Sequence, residues 1–260
     1  MLENSKQNPN IRKNMGKRYS PINTRNTAEI YLSAPNCGCK GSSAHHALHI
    51  YPELINVIGT GKLARDRGLI DPEFAAIHQT RKAKKQLIPT EIIMPMAMGC
   101  YRDGILHGRT IHIFDGLPRC ADQVTALAEN GLLNPINTLF VIIHSTLEMC
   151  RCRRDDPSAL SARSGRIEDK IEEDFEFRYK EYYDLLPGIM LELDLLGVRP
   201  VHVDGNDRPT ADVNNEVIEL IQHIMPTPME TVPARQSALS RALAGLTAFC
   251  PEESEPLGLA

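Results

Sequence analysis

An apolar run from Glu29 to Ser33 gives way at once to a stretch of small residues, Ser33-Ala34-Pro35-Asn36-Cys37-Gly38-Cys39-Lys40-Gly41-Ser42, which opens a helical segment from Ser42 to Leu48. A buried strand, a tight loop and a helix in direct succession start a βαβ unit. The pattern recurs. Thr110 to Phe114, Leu139 to Ile143 and Val198 to Val203 read as further strands, and Asp71 to Lys85, Cys120 to Glu129 and Ile167 to Leu186 as helices. This alternation predicts an α/β fold with a parallel sheet flanked by helices.

The chain of 260 residues, 42% apolar and 24% charged, is long enough for one domain with insertions. Residues 1–28 set Arg12, Lys13, Lys17, Arg18 and Arg25 against the single acid Glu3 and read as a flexible basic tail. Residues 29–224 form the folded domain. Residues 225–260 read as an appendage, relieved only by a helix-like stretch from Gln236 to Phe249. A net charge of −4 supplies no global field for nucleic acid or an anionic membrane, so neither partner is expected. The longest apolar stretches, such as Thr138 to Ile143, fall short of the roughly 20 residues a membrane helix needs. A cytoplasmic monomer with its seven cysteines reduced is the expectation.

The loop after the first strand suits a phosphate. Backbone N–H groups and the helix dipole converge there on one anion, a lysine reaches the outer phosphates, and a hydroxyl can ligate Mg²⁺. Gly38, Lys40, Gly41 and Ser42 would take those parts. Counted from Gly38, the strict Walker spacing is not met, and Cys39 reads as one extra residue before Lys40. An ordinary strand-to-helix turn would use the same Pro and Gly.

Three further segments carry polar groups at telling intervals. Gly59-Thr60-Gly61 precedes Arg65, placing a hydroxyl and a guanidinium beside permissive backbone. Asp115-Gly116-Leu117-Pro118-Arg119 ends a strand in an acid and sets Arg119 four residues before Gln123, on one helix face. An Arg grips phosphate bidentately, and a Gln amide offers donor and acceptor to a base edge. Ser164-Gly165-Arg166-Ile167-Glu168-Asp169 follows the basic group Arg151, Arg153, Arg154 and Arg163, with Arg178 further on. A salt-bridged exposed helix accounts equally well for Arg151 to Arg163.

In this order and at these separations, Gly-Thr-Gly-x-x-x-Arg, Asp-Gly-x-Pro-Arg-x-x-x-Gln and Gly-Arg-x-acid-Asp resemble adenylate kinase over about residues 29–224. The resemblance implies a P-loop NTPase-type sheet with a helical insertion for the nucleoside monophosphate, about residues 57–100, and a short lid, about residues 151–168. It implies reversible transfer of the γ-phosphoryl of ATP to AMP with Mg²⁺. By position, Lys40, Arg119, Arg166 and Arg178 would be catalytic. ATP would lie against Gly38, Lys40, Gly41, Ser42, Arg151 and Arg154. AMP would lie against Thr60, Arg65, Ile88, Gly116, Arg119 and Gln123, with Thr60 and Gln123 favouring AMP over pyrimidine acceptors. Asp115, through water, and Ser42 would serve Mg²⁺.

Where the family carries an acid, this chain has Lys62, and Glu168 replaces an aspartate. A kinase for another nucleoside monophosphate stands as an alternative to the AMP enzyme, and two readings of other classes stand beside the kinase. One is a nucleotide-binding regulator that has lost catalysis. The other is a zinc site built from the Cys37/Cys39 and Cys150/Cys152 pairs, whose spacing is shorter than zinc sites usually use.

Overall fold

The computed structural model describes residues 27–156 and 171–225. Five parallel strands, β1 (Ala28–Ser33), β2 (Ile55–Gly59), β3 (Ile111–Asp115), β4 (Thr138–His144) and β5 (Val201–Asp204), line up in the order β2-β3-β1-β4-β5. The helices are α1 (Lys40–Ile50), α2 (Thr60–Ile70), α3 (Pro72–Ala83), α4 (Thr90–Leu106), α5 (Ala121–Glu129), α6 (Leu147–Asp155), α7 (Glu172–Leu195) and α8 (Thr210–Ile224). The expected α/β architecture with a parallel sheet is present. Among the described residues no helix is long and apolar enough to cross a membrane.

The strands sort their side chains by period two. Ile30, Leu32, Ile111, Ile113, Val141, Ile143 and Val203 face α1 and α8, where Ala44, Ala47, Val213, Val217 and Ile221 complete one core. Tyr31, Phe114, Phe140 and Ile142 face the other way, onto Met94, Ala97, Met98 and Tyr101 of α4, Val124 and Leu127 of α5, and Ile189 and Leu193 of α7. β1 lies between β3 and β4, so Phe114, Tyr31 and Phe140 form one row across three strands. Their ring centroids are 4.7 and 5.8 Å apart.

Two helices run through a proline. α4 continues past Pro95 because Met94, Ala97, Met98 and Tyr101 recur at helical spacing and are buried. α7, expected to end at Leu186, runs on to Leu195 through Pro187. An internal proline costs about 3 kcal/mol. Fully burying Ile189 and Leu193 returns roughly 3–6 kcal/mol between them, enough to keep the helix going.

Beneath the aromatic row lies a buried polar cluster. Glu29 accepts hydrogen bonds from the Leu133 amide at 3.0 Å, Tyr101 Oη at 3.2 Å and Tyr31 Oη at 3.4 Å. Its register partner on β3 is His112, also buried, whose Nδ1 accepts from Asn56 Nδ2 at 3.3 Å. Burial outweighs these bonds and pushes the Glu29 carboxyl up to about 7. Burial likewise pushes His112 down to about 4.

Folded Glu29 keeps its proton to about pH 7, whereas the unfolded chain releases it near 4.5. Its stabilising contribution is therefore complete below pH 4.5 and lost as pH rises toward 7. His112 works the opposite way: stability is lost as pH falls from 6.5 toward 4. Glu29→Gln is expected to abolish only the first loss. Between pH 5 and 8 the unaltered chain should lose up to about 3 kcal/mol more unfolding free energy than the variant. Urea titrations at the two pH values measure this, and equal slopes for the two proteins would refute it.

Candidate functional site

In a parallel sheet, ligands settle at the carboxyl ends of the strands where the connections reverse direction. Here that place is the end of β1, since β1 leads toward β2 on one side while β3 crosses to β4 on the other. The loop Ala34 to Cys39 leaves β1 at this point.

The loop is tightly wound. Cys37 and Cys39 both take left-handed backbone, with φ of 61° and 71°. The Gly38 amide donates to Pro35 O at 3.1 Å, and a Cβ on Gly38 would press on Ala34 and Pro35 at about 3.0 Å. Cys39 is the residue just before α1, which begins at Lys40. Counted back from Lys40, Ala34 and Cys39 occupy the two glycine positions of the G-x-x-x-x-G-K pattern, with four residues between them. Cys39 is thus not an extra residue. It fills a glycine position and adopts the backbone that glycine adopts without cost.

Lys40 Nζ folds back over the loop to Ala34 O at 3.1 Å and Pro35 O at 3.0 Å. Ser42 Oγ donates toward Cys39 O at 2.8 Å and Asn214 Oδ1 at 3.0 Å. Gly41 backs onto Asp115: a Cβ there would stand 3.4 Å from Asp115 Oδ2.

Asp115 and Gly116 join this loop to the next cluster. Thr60, buried at the start of α2, donates from Oγ1 to Gly116 O at 2.9 Å. Gly116, at φ 80°, leaves a niche in which a Cβ would meet Thr60 Oγ1 and Arg119 Nη2 at 3.0 Å. Arg119 Nε donates to Gly116 O at 3.0 Å, and the Arg119 amide donates to Gln123 Oε1 at 2.7 Å. The buried Gln123 therefore spends one acceptor on holding the Arg119 turn. Arg65 is exposed on α2 near Gly61, and Ile88 is half-buried in the connection before α4.

α7 roofs the site. Tyr182 Oη lies 3.2 Å from Ser33 Oγ at the end of β1, and burial pushes its hydroxyl up to about 12. Tyr179 and Tyr183 donate to Ser145 O beyond β4 at 3.1 and 3.0 Å. On the same helix, burial raises the half-buried carboxyl of Glu181, and the charges of Arg119 and Arg178 oppose that rise. Arg119 and Arg178 thus both act electrostatically on one acid.

Arg151 and Arg154 make the ion pairs of a salt-bridged helix. Arg151 is paired with Glu172 at 2.6 Å and with Glu176, while Arg154 meets Asp155 at 2.7 Å and Glu172 at 2.6 Å and lies over the Phe175 ring. Both clamp α6 to the acidic first turn of α7. Arg166, the lid beyond residue 156, the tail before residue 27 and the appendage after residue 225 lie outside the described residues.

Cys37, Cys150 and Phe175 pack together, and burial pushes the Cys150 thiol up to about 12, so these thiols behave as apolar core. Cys152, two positions on along α6, is exposed. Among the described residues no three His, Cys, Asp or Glu side chains gather into a group that could hold a metal ion, so the zinc alternative gains no support. Sequence reasoning missed Asn214 and the α7 tyrosines, because their partners stand far away in the chain and no local pattern marks them.

Deleting Cys39 would turn α1 by about 100° against β1. Ser43, Ala44 and Ala47, which are 0–1% exposed, would leave the core. A loss of at least about 3 kcal/mol is expected, whereas Cys39→Gly should fold with stability within about 1 kcal/mol of the unaltered chain. Thermal and urea unfolding separate the two; a deletion variant as stable as the parent would mean the loop does contain a slack residue. No protein-family model matches the chain, and no curated protein matches it.

Proposed function

We propose that the chain is a nucleoside monophosphate kinase resembling adenylate kinase, which moves the γ-phosphoryl of ATP reversibly to AMP with Mg²⁺. The observation that carries this reading is the position of Asp115-Gly116. One side of that dipeptide lies against Gly41 of the phosphate loop, the other against Thr60 and Arg119. A loop suited to one nucleotide's phosphates and a cluster suited to another's therefore share a wall. Direct transfer between two phosphates needs that closeness.

In this reading a phosphate oxygen of AMP attacks the γ-phosphorus of ATP. A new P–O bond forms as the bond to the β,γ-bridging oxygen breaks, and two ADP result. Lys40 exchanges its contacts with Ala34 O and Pro35 O for phosphate oxygens. Arg119 and Arg178 neutralise charge on the moving group, and Arg166 of the short lid, residues 151–168, joins them. Residues 57–100, with Thr60, Arg65 and Ile88, form the acceptor's insertion. Arg151 and Arg154 reach ATP only by giving up Glu172.

The donor set fits Mg²⁺. Ser42 supplies a hydroxyl and Asp115 a carboxylate, the hard oxygen ligands that this ion takes together with water and substrate phosphates. Bound there, it would neutralise charge on the donor phosphates.

A coupled assay with ATP, AMP and Mg²⁺ tests the proposal, with ADP as the expected product. Arg119→Ala should weaken AMP binding by at least roughly 2 kcal/mol, about thirtyfold, and lower turnover with it, because the bound phosphate loses a charge-assisted bidentate partner. Unchanged AMP affinity and turnover would overturn that role. ATP and AMP binding without transfer would turn the assignment to a nucleotide-binding regulator.

A further inference from the structure

We propose that Asn214 of α8 is a positioning residue for the phosphate loop: its side-chain carbonyl accepts the hydrogen bond of the Ser42 hydroxyl and so turns the Ser42 lone pairs toward a bound Mg²⁺. The inference rests on the nucleotide reading above. Ser42 and Asn214 are far apart in sequence, yet Ser42 Oγ is 3.0 Å and Ser43 Oγ 2.9 Å from Asn214 Oδ1.

The chemistry demands such an acceptor. A hydroxyl has one hydrogen and two lone pairs, and coordination to a cation uses a lone pair, so the hydrogen must point away from the metal. Two acceptors are in reach, Cys39 O at 2.8 Å and Asn214 Oδ1 at 3.0 Å. Each already has one partner, since Cys39 O accepts the Ser43 amide at 2.9 Å and Asn214 Oδ1 accepts the Ser43 hydroxyl at 2.9 Å, and each keeps a second lone pair for Ser42. Asn214 Oδ1 is the acceptor that comes from outside the loop, and a neutral amide supplies it without adding charge.

Asn214 is well placed to hold a direction. Its neighbours Val213 and Val217 are fully buried in the core that α8 shares with α1, which fixes the helix. One turn earlier on the same face, Thr210 Oγ1 lies 3.9 Å from Cys39 Sγ. Thr210 and Asn214 thus both touch the start of α1, and Mg²⁺, which demands near-ideal geometry, depends on where that start points. Such ordering of a ligand by a partner behind it is a general device of metal sites.

The test measures ATP binding to the full chain at graded Mg²⁺, alongside AMP affinity. Asn214→Leu keeps the branched skeleton and removes the acceptor; it is expected to raise the half-saturating Mg²⁺ concentration about tenfold, the scale of one hydrogen bond, with AMP affinity within twofold. In a Ser42→Ala background, Asn214→Leu should change the Mg²⁺ requirement no further. An unshifted Mg²⁺ requirement, or the same shift in the Ser42→Ala background, overturns the inference. So does an equal weakening of ATP binding without Mg²⁺, which would mark a merely structural contact. If the leucine variant does not fold, Asn214→Asp decides: it keeps the acceptor and should leave the half-saturating Mg²⁺ unchanged or lower it, and a higher value counts against the inference. Should the unaltered chain bind no ATP with Mg²⁺, the kinase reading fails together with this one.

Discussion

The register of β1 is the constraint on which the rest of the molecule depends. Tyr31 is opposite Phe114 on one side and Phe140 on the other, and Glu29 is held by Leu133, Tyr101 and Tyr31. A slip of one residue would send this row into the face packed on α1 and α8, where Ile30 and Leu32 belong. It would also shift where Ser33 ends the strand, and with it the loop from Ala34 to Cys39. An aromatic row and a buried acid, both away from that loop, thereby decide where it begins.

The site's strongest charges are mostly engaged. Lys40 rests on loop carbonyls, Arg119 on Gly116 O, and Arg151 and Arg154 on the acids of α7. Such contacts leave each cation oriented at small cost, because exposed ion pairs exchange easily with solvent or an anion. The acid that Arg151 and Arg154 share, Glu172, lies in the first turn of α7 beside Glu173 and Asp174, where a helix dipole favours negative charge.

Much of this was legible in the sequence, and the failures are instructive. β1, β3 and β4 showed themselves as short apolar runs, and Asp115 to Gln123 as a strand end running into a helix, because those signals are local. The continuation of α7 through Pro187 was not legible, since burial of Ile189 and Leu193 against α5 and the sheet outweighs the proline. α4 was hidden in the same way by Pro95. Cys39 looked like an insertion because its residue type conceals the left-handed backbone it adopts. Asn214 carries no local mark at all; only the packing of α8 on α1 gives it a meaning.

The strand order also bears on how the chain can be made. β1 and β2 are consecutive in sequence, yet β3 separates them and pairs with both. A nascent chain that has emerged only through β2 holds two strands with no native partner between them, and the first rung of the sheet must wait for residue 111. Until then the backbone edges of β1 and β2 that β3 will pair are open to other chains. The ribosome must therefore expose the loop from Ala34 to Cys39 well before the strand that fixes it has been synthesised.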